Sequence, residues 1–281
     1  MSDTPVFRTI ADMRALVAAW KADGLRIGLV PTMGALHAGH LSLIEEISRQ
    51  GADRIIVSIF VNPTQFAAHE DLGTYPRQEA EDVAALTDTK ADAIFAPTAA
   101  EMYPDGFTTT IALDGPAIGL ESDERPHFFG GVVLIVCKLL TQSQTDMAIF
   151  GEKDYQQLMV IRRMVADLDL PVEIVSGPLM READGLAMSS RNVYLSAAQR
   201  LIAGQLNLIL KALAESDLPA AEAEAEAEKA LLAAGFTSVD YATICDADTL
   251  GPVTSDTKAR RALITARLGD VRLLDNMPAK N

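Results

Sequence analysis

His37 and His40 stand three residues apart in a chain that contains only four histidines. The ten residues that end at His40 are rich in small side chains, among them Gly34 and Gly39, which would let a phosphate chain approach the backbone. Imidazole N–H groups can stabilise charge on phosphate oxygens; a metal-binding pair and two ordinary polar loop residues are the other interpretations of this spacing. Because the segment follows a predicted strand and precedes a predicted helix, we favour phosphate binding.

Two later segments also carry groups suited to phosphate. Gly151 permits a tight turn at the end of a predicted strand, and Lys153 places a positive charge beyond it. Ser189, Ser190 and Arg191 combine two hydroxyls with a guanidinium that can hold two phosphate oxygens at once. Each segment alone is typical of a solvated loop, but the three together predict a triphosphate site.

Neutral amides form a further set of candidates. Asn62 and Gln65 follow a predicted strand, and Gln156 and Gln157 lie near the start of a predicted helix. Amides donate and accept hydrogen bonds, so they can hold the hydroxyls and the carboxylate of a small polar substrate. They also form turns, and the spacing alone leaves both interpretations open.

Alternating strands and helices connect these segments. An opening helix is predicted over 9–21, and apolar spacing predicts further helices from residue 40 and over 79–86, 132–140 and 154–168. Short apolar runs predict strands over 27–30, 55–61, 93–96, 147–150 and 172–175. The alternation is typical of an α/β fold, a Rossmann-like doubly wound parallel sheet that is covered on both faces.

The pattern changes after about residue 183, where we predict a smaller α+β domain. Ser196 and Gln199 form a capping-box pattern before a helix to about residue 215, and an Ala- and Glu-rich helix with a solvated face follows over 219–234. Strands are predicted over 239–244, 262–266 and 271–274. We therefore expect a Rossmann-like domain over 1–183 and a smaller C-terminal domain over 184–281.

The net charge is −15, from 39 acidic and 24 basic residues, and it argues against nucleic acid and anionic lipid as partners. Cys137 and Cys245 have no ligand-like spacing, so they indicate neither a disulfide framework nor a zinc site. The sequence shows no secretory signal and no apolar run of the about 20 residues that a membrane span needs. We expect a cytoplasmic protein.

Several segments together resemble the pantoate-β-alanine ligase family, and they extend over nearly the whole chain. They read Pro-Thr-Met-Gly-Ala-Leu-His-Ala-Gly-His at 31–40, Val-Asn-Pro-Thr-Gln-Phe at 61–66, Tyr-Pro-Arg at 75–77, Phe-Gly-Glu-Lys-Asp-Tyr-Gln-Gln-Leu at 150–158, Asp-Gly-Leu-Ala-Met-Ser-Ser-Arg-Asn-Val-Tyr-Leu at 184–195, and Ala-Arg-Leu-Gly at 266–269 with Arg-Leu-Leu-Asp-Asn at 272–276. The His-x-Gly-His element alone is shared by a wide nucleotidyltransferase superfamily, whereas the combination is specific.

The resemblance implies an ATP-dependent ligation in two steps. Pantoate and ATP would form pantoyl adenylate and pyrophosphate, and β-alanine would then displace AMP to give pantothenate, on the route to coenzyme A. Mg²⁺ would accompany ATP, the smaller domain would close over the active site, and the protein would be a homodimer.

The resemblance also implies roles for individual residues. The expected catalytic residues are His37, His40 and Lys153, with His40 as the proton donor and Lys153 near the reacting α-phosphate. The expected ATP-binding residues are Met33, Gly34, Ala35, Leu36, His37, Ala38, Gly39, His40, Gly151, Glu152, Lys153, Asp154, Met180, Met188, Ser189, Ser190 and Arg191.

Further roles concern the other substrates and the metal. Gln65, Gln157 and Asn62 are expected to bind pantoate, and Gln65 also to place β-alanine. Asp82 is the expected magnesium ligand, with Glu81 as a weaker alternative. An exposed helix carboxylate would account for either acidic residue almost equally well.

One segment departs from the family pattern. Where the family usually reads Arg-Pro-Gly-His-Phe, any residue, Gly-Val, this chain reads Arg-Pro-His-Phe-Phe-Gly-Gly-Val at 125–132. The role of the family's histidine therefore does not transfer to His127.

Two other functions are compatible with such a fold. A nucleotidyltransferase that leaves the nucleotide on a phosphate acceptor would need cationic residues to bind that acceptor, whereas Asn62, Gln65 and Gln157 are neutral. A non-catalytic module that docks tRNA or protein disagrees with the net charge and with the presence of His37, His40 and Lys153.

Overall fold

The computed structural model describes residues 4–66, 71–73 and 77–281, so Tyr75 and Pro76 of the 75–77 segment lie outside the described residues. The chain forms two compact units. The first comprises the described residues of Met1–Leu113, Arg125–Glu152 and Val160–Pro178, and the second comprises Asp114–Glu124, Lys153–Met159 and Leu179–Asn281. The functional division into 1–183 and 184–281 stays a prediction.

Within its described residues, the first unit contains a six-stranded parallel sheet. The strands are β1 (Val6–Phe7), β2 (Ile27–Thr32), β3 (Arg54–Ile59), β4 (Ala93–Phe95), β5 (Met147–Gly151) and β6 (Glu173–Gly177), in the order β1-β4-β3-β2-β5-β6. Ile27, Leu29 and Ile56 are fully buried, as expected for continuous apolar strands in a sheet covered on both faces. The predicted α/β fold with a parallel sheet is confirmed.

The helices of the first unit follow the strands in alternation. They are α1 (Ile10–Ala22), α2 (Ala38–Arg49), α3 (Glu79–Thr87), a single turn at Ala99–Met102, and α4 (Phe128–Ser143). Helix α5 (Tyr155–Asp167) begins in the second unit and continues in the first from Val160. Apolar side chains of α2 at helical spacing, Leu43, Ile44 and Ile47, pack into the core beside β2 and β3.

The second unit has its own core and its own sheet. Antiparallel strands β7 (Ser238–Asp246), β8 (Arg260–Leu268) and β9 (Val271–Ala279) pair in sequence order, and the helices are a single turn at Glu121–Glu124, α6 (Ala197–Ala203), α7 (Gln205–Ala214) and α8 (Ala220–Ala234). Ala223, Ala227 and Leu231 form the buried stripe of α8. Three of its glutamates are exposed, as predicted for a solvated face, but Glu224 is half-buried and accepts the backbone N–H of Ile244. The capping box of Ser196 and Gln199 is also confirmed.

Three predictions about elements were wrong. A two-residue strand, β1, precedes the opening helix because Val6 and Phe7 pair with β4, a distant contact that local periodicity cannot reveal. Strand β3 ends at Ile59 rather than residue 61. The single helix predicted from Ser196 to residue 215 is two helices that Gly204 separates, and a Cβ on Gly204 would lie 2.9 Å from Asp184 Oδ2.

In the described part of the chain, no helix combines the length and the apolar character of a membrane span.

Candidate active site

The paired histidines lie at the N-terminus of α2. His37 Nδ1 accepts the backbone N–H of Gly39 at 3.1 Å, His40 Nδ1 accepts the backbone N–H of His37 at 3.3 Å, and the two ring centroids are 4.1 Å apart. A ring nitrogen that accepts a hydrogen bond carries no proton, so the N–H of each neutral ring is on Nε2. The helix cap thus fixes the tautomer in which both imidazoles donate through Nε2.

Residues 33–40, which we call the histidine loop, begin at the point at which the strand order of the sheet reverses. Strands β2 and β5 are neighbours, with β3 and β4 continuing on one side and β6 on the other. Ligands of open α/β sheets bind at such a reversal, outside the carboxyl ends of the strands. Residues 33–40 follow β2, and Gly151 and Glu152 are the end of β5 and the residue after it.

Asp82 on α3 fixes the start of the histidine loop. Its Oδ2 accepts the N–H of Ala35 at 2.9 Å, and its Oδ1 accepts the N–H of Leu36 at 2.8 Å. Gly34, with φ of 80°, has the left-handed conformation that glycine adopts readily, and a Cβ there would lie 2.8 Å from Asp82 Oδ2. Backbone conformation and close approach of the carboxylate therefore both require glycine at residue 34.

These contacts do not fit the role of magnesium ligand that was expected for Asp82. The residue is 2% exposed, and each carboxylate oxygen already accepts a backbone N–H. Mg²⁺ keeps several water ligands and therefore needs an accessible carboxylate oxygen. Among the described residues, no group of three or more His, Cys, Asp or Glu side chains is arranged to hold a metal. The geometry favours loop anchoring as the role of Asp82.

Asn62 and Gln65 lie together beyond the end of β3. Asn62 Nδ2 donates to Gln65 Oε1 and to the carbonyl oxygen of Gly131, both at 3.1 Å, and Asn62 Oδ1 accepts the Tyr103 hydroxyl at 2.8 Å. Gln65 Nε2 in turn donates to Met33 Sδ at 2.9 Å. Asn62 therefore uses both of its N–H groups within the protein and orients the side chain of Gln65.

The segment that departs from the family pattern contacts the backbone of Thr64 and Gln65. Arg125 Nη2 donates to the carbonyl oxygen of Gln65 at 3.3 Å, and its guanidinium lies 3.9 Å from the centroid of the Phe128 ring. On α4, Gly131 approaches so closely that a Cβ would overlap the Thr64 carbonyl oxygen. Phe128, in the position of the family's histidine, thus packs against an arginine that holds the backbone of Gln65.

A small cavity in the second unit brings three of the predicted phosphate ligands together. Lys153, Ser189 and Arg191 line it, and so do Asn192 and Arg272. Ser189 Oγ accepts the backbone N–H of Arg191 at 3.2 Å and caps a short 3₁₀ turn that begins at Ser190. Cationic and hydroxyl groups around one cavity suit a polyanion.

Of the two adjacent glutamines, one is committed to the fold. Gln156 Oε1 accepts the N–H of Glu121 at 3.0 Å, and its Nε2 donates to the carbonyl oxygens of Pro116 at 3.0 Å and Gly119 at 3.1 Å. Gln157 is half-buried. Gln156 therefore has a structural role, and Gln157 is the candidate for binding substrate.

Arg272 lines the same cavity but received no role from the sequence. Its Nη1 donates to Glu121 at 2.7 and 2.6 Å and its Nε to Asp240 at 2.5 Å. Burial alone would lower the pKa of Arg272, but the bonds to Glu121 and Asp240 outweigh it and raise the pKa. The pairing of this guanidinium with two buried carboxylates depends on tertiary contacts, so the sequence could not predict it. The one sequence feature that pointed to Arg272 was its place in the family segment 272–276.

The predicted site residues are thus divided between the units. Residues 33–40, Asn62 and Gln65 belong to the first unit, and Lys153, Gln157 and 188–191 belong to the second.

A parallel α/β sheet with a paired-histidine loop at its switch point, together with a cavity lined by cationic side chains in an α+β unit, is typical of an enzyme that binds anionic ligands. The sequence profile described as pantoate-beta-alanine ligase matches residues 5–278. The chain belongs to this family, and it is a ligase, which confirms the resemblance.

Individual relatives agree along the whole chain. The pantothenate synthetase of Mesorhizobium japonicum is 52% identical over 280 residues, which cover 99% of this chain and 98% of the relative. The crystal structure of pantothenate synthetase from Thermus thermophilus has a TM-score of 0.89 at 42% identity, covering 97% of this chain and 98% of the other. The pantoate-beta-alanine ligase from Francisella tularensis, solved in complex with β-γ ATP and β-alanine, has a TM-score of 0.83 at 33% identity and covers 98% and 97%.

Proposed function

We propose that this ligase joins pantoate to β-alanine in an ATP-dependent reaction that passes through pantoyl adenylate and releases pyrophosphate and AMP. The observation that carries the proposal is the histidine pair, whose Nε2–H donors are fixed at the switch point of the sheet. Family membership supports the two acids as substrates, and the Francisella tularensis complex with β-γ ATP and β-alanine supports ATP as the third substrate.

The chemistry follows from the low reactivity of a carboxylate towards amines. A carboxylate oxygen of pantoate attacks the α-phosphorus of ATP, the bond from that phosphorus to the bridging oxygen breaks, and pyrophosphate leaves. The amine of β-alanine then attacks the acyl carbon and its nitrogen loses a proton. AMP leaves, and it carries the pantoate oxygen that had bonded to phosphorus in the first step. The enzyme's task is to align the reactants and to neutralise charge on the phosphates.

Residues 33–40 bind ATP in this proposal. The small residues of the loop admit the phosphates to the backbone, and the N-terminus of α2 adds positive potential. His37 and His40 donate hydrogen bonds to phosphate oxygens through Nε2–H. The hydrogen bond from His40 stabilises the charge on the departing pyrophosphate without transfer of the proton, because a neutral imidazole that lost its proton would become an anion. Asp82 keeps the loop in the conformation that aims these donors.

The second unit also carries residues that are proposed to bind ATP. Lys153 stabilises the α-phosphate, and Ser189, Ser190 and Arg191 bind the outer phosphates. Gly151, Glu152, Asp154, Met180 and Met188 complete the proposed ATP site. The net charge of −15 is compatible with this because a few placed donors determine the local potential.

The amides account for the other substrates. Gln65 and Gln157 hold the hydroxyls and the carboxylate of pantoate, Asn62 fixes the orientation of Gln65, and Gln65 also places β-alanine. Neutral amides suit a substrate whose carboxylate must stay nucleophilic, because a cation would withdraw charge from the attacking oxygen.

Four further points belong to the proposal. Mg²⁺ accompanies ATP, the protein acts in the cytoplasm as a homodimer, nucleic acid and membranes are not partners, and residues 184–281 close over the bound nucleotide. Closure predicts a difference in small-angle scattering with and without ATP and pantoate, and identical profiles would contradict it.

Pantoate-dependent exchange of labelled pyrophosphate into ATP tests the first step. We expect exchange with pantoate alone, in the absence of β-alanine, and its loss when pantoate is omitted. A nucleotidyltransferase acting on a phosphate acceptor would show exchange only with that acceptor. No exchange with pantoate would contradict the ligase mechanism.

A further inference from the structure

We propose that Asn276 is the positioning residue of Lys153, and that strand β9 thereby sets the direction in which the Lys153 ammonium group enters the cavity. The inference rests on the proposed role of Lys153 at the α-phosphate. Asn276 itself contacts no substrate and acts through the lysine.

The key contact is a hydrogen bond from Asn276 to the lysine backbone. Asn276 Nδ2 donates to the carbonyl oxygen of Lys153 at 2.8 Å, and the asparagine is 3% exposed. A buried amide–carbonyl bond is costly to leave unmade, so it fixes the peptide plane of Lys153. The start of the side chain is fixed with it, because Cα and Cβ follow the backbone.

The opposite end of the asparagine is held just as firmly. Asn276 Oδ1 accepts Nε and Nη2 of Arg261, at 2.8 and 2.5 Å, and the Arg261 guanidinium lies 3.9 Å from the centroid of the Tyr155 ring. Arg261 and Tyr155 therefore lock the amide in the orientation that points its N–H group at Lys153. A side chain at residue 276 must both accept from Arg261 and donate to a carbonyl, and an amide does both.

Asp275, the neighbour of Asn276 on β9, holds a second cavity-lining segment. Asp275 accepts Nη1 and Nη2 of Arg181, at 2.6 and 2.9 Å, and Arg181 Nη1 also donates to the carbonyl oxygen of Gly185 at 2.9 Å. Arg181 also pairs with Ala187 in an isolated β-bridge, and Ala187 and Ser189 both line the cavity. Adjacent residues of β9 thus hold two of the three segments that line the cavity, and residues 272–274 of the same strand form the third.

Asn276→Asp tests the inference with little change of shape. The carboxylate still accepts from Arg261, but it cannot donate to Lys153 and places an oxygen against the lysine carbonyl. Thr243→Val is the matched control. It removes a half-buried side-chain hydrogen bond of the same unit, from Thr243 Oγ1 to Glu224 Oε1, and does not affect the contacts of Lys153. Asn276→Ser, whose hydroxyl is too short to reach the carbonyl, serves if the aspartate variant does not fold.

Two readouts separate positioning from general stability. We expect Asn276→Asp to lower kcat of the pyrophosphate exchange by about 10- to 100-fold while KM for ATP changes by about twofold at most, because a displaced reacting group affects the transition state most. Amide hydrogen exchange should rise in peptides that cover 150–158 in this variant and not in Thr243→Val. Unchanged protection of these peptides would overturn the inference whatever the activity.

A double-mutant cycle connects the two residues. If Asn276 acts through the lysine, Asn276→Asp should cost little further activity once Lys153 is alanine. An equal loss in both backgrounds would overturn the inference while leaving the proposed reaction intact. Full exchange activity in Lys153→Ala would contradict the proposed role of Lys153 instead.

Discussion

Asp82 on α3 and Leu36 in the histidine loop are joined by a 2.8 Å hydrogen bond from the Leu36 N–H to Asp82 Oδ1. The second carboxylate oxygen binds the adjacent N–H of Ala35. A single buried carboxylate thus determines the backbone conformation just ahead of His37, and it connects a helix of the parallel sheet's outer layer to the site.

Asp82→Asn should therefore lower both stability and activity. The amide can accept only one of the two N–H groups, and its own NH₂ would face the other, which costs about 1–3 kcal/mol in the free energy of unfolding. Urea unfolding and pyrophosphate exchange measure the two effects. Asp88→Asn, at the exposed C-terminus of the same helix, is the control, and an Asp82→Asn variant as stable and active as this control would contradict the anchoring role.

His40→Asn separates the two functions of the imidazole. Asparagine Oδ1 can still accept the His37 N–H, as the N3 side chain of a capping box does, but the Nε2–H donor is lost. We expect exchange activity to fall by about 10²- to 10³-fold with little change in melting temperature. His40→Ala should lose activity to the same extent and about 1 kcal/mol of stability in addition. Activity in His40→Asn close to that of the parent would show that the histidine serves only as a cap.

Lys153→Met keeps the aliphatic length of a half-buried side chain and removes its charge. Because the lysine lines a cavity and is not part of the hydrophobic core, turnover should fall by about 10²- to 10³-fold while the melting temperature stays near that of the parent. Steady-state kinetics and calorimetry on the same preparation decide the matter. A large fall in melting temperature with near-normal turnover would identify Lys153 as a structural residue.

Cys245 should report on opening of the second unit. Burial, with a contribution from Asp246, raises the pKa of its thiol to about 12, so about 10⁻⁴ of it is thiolate at pH 8. We expect iodoacetamide to leave Cys245 unmodified in the native protein and to label it fully in urea, as read by mass spectrometry. Labelling of Cys245 in the native protein at the rate seen in urea would contradict a closed core around β7 and β8.

The sequence allowed the parallel sheet to be predicted because its strands are continuous apolar runs, and it allowed the capping box at Ser196 to be predicted because that pattern is local. It could not predict β1, whose pairing with β4 depends on a contact between distant residues. The break at Gly204 was equally hidden, since the apolar spacing continues through it.

In the candidate site, too, some residues can be proposed from the sequence and others only from tertiary contacts. Candidates such as His37 and Lys153 can be proposed from residue type and spacing. The residues that hold them cannot, because Asp82 resembles a surface carboxylate and Asn276 an ordinary strand residue until the tertiary contacts are known.

The fate of the pantoate oxygens tests the adenylate mechanism most directly. With pantoate that carries ¹⁸O in both carboxylate positions, ATP and β-alanine, the proposed mechanism predicts AMP that contains one ¹⁸O atom and pantothenate that keeps the other in its amide carbonyl, as measured by mass spectrometry. AMP without ¹⁸O, or ADP with labelled phosphate in its place, would contradict the account.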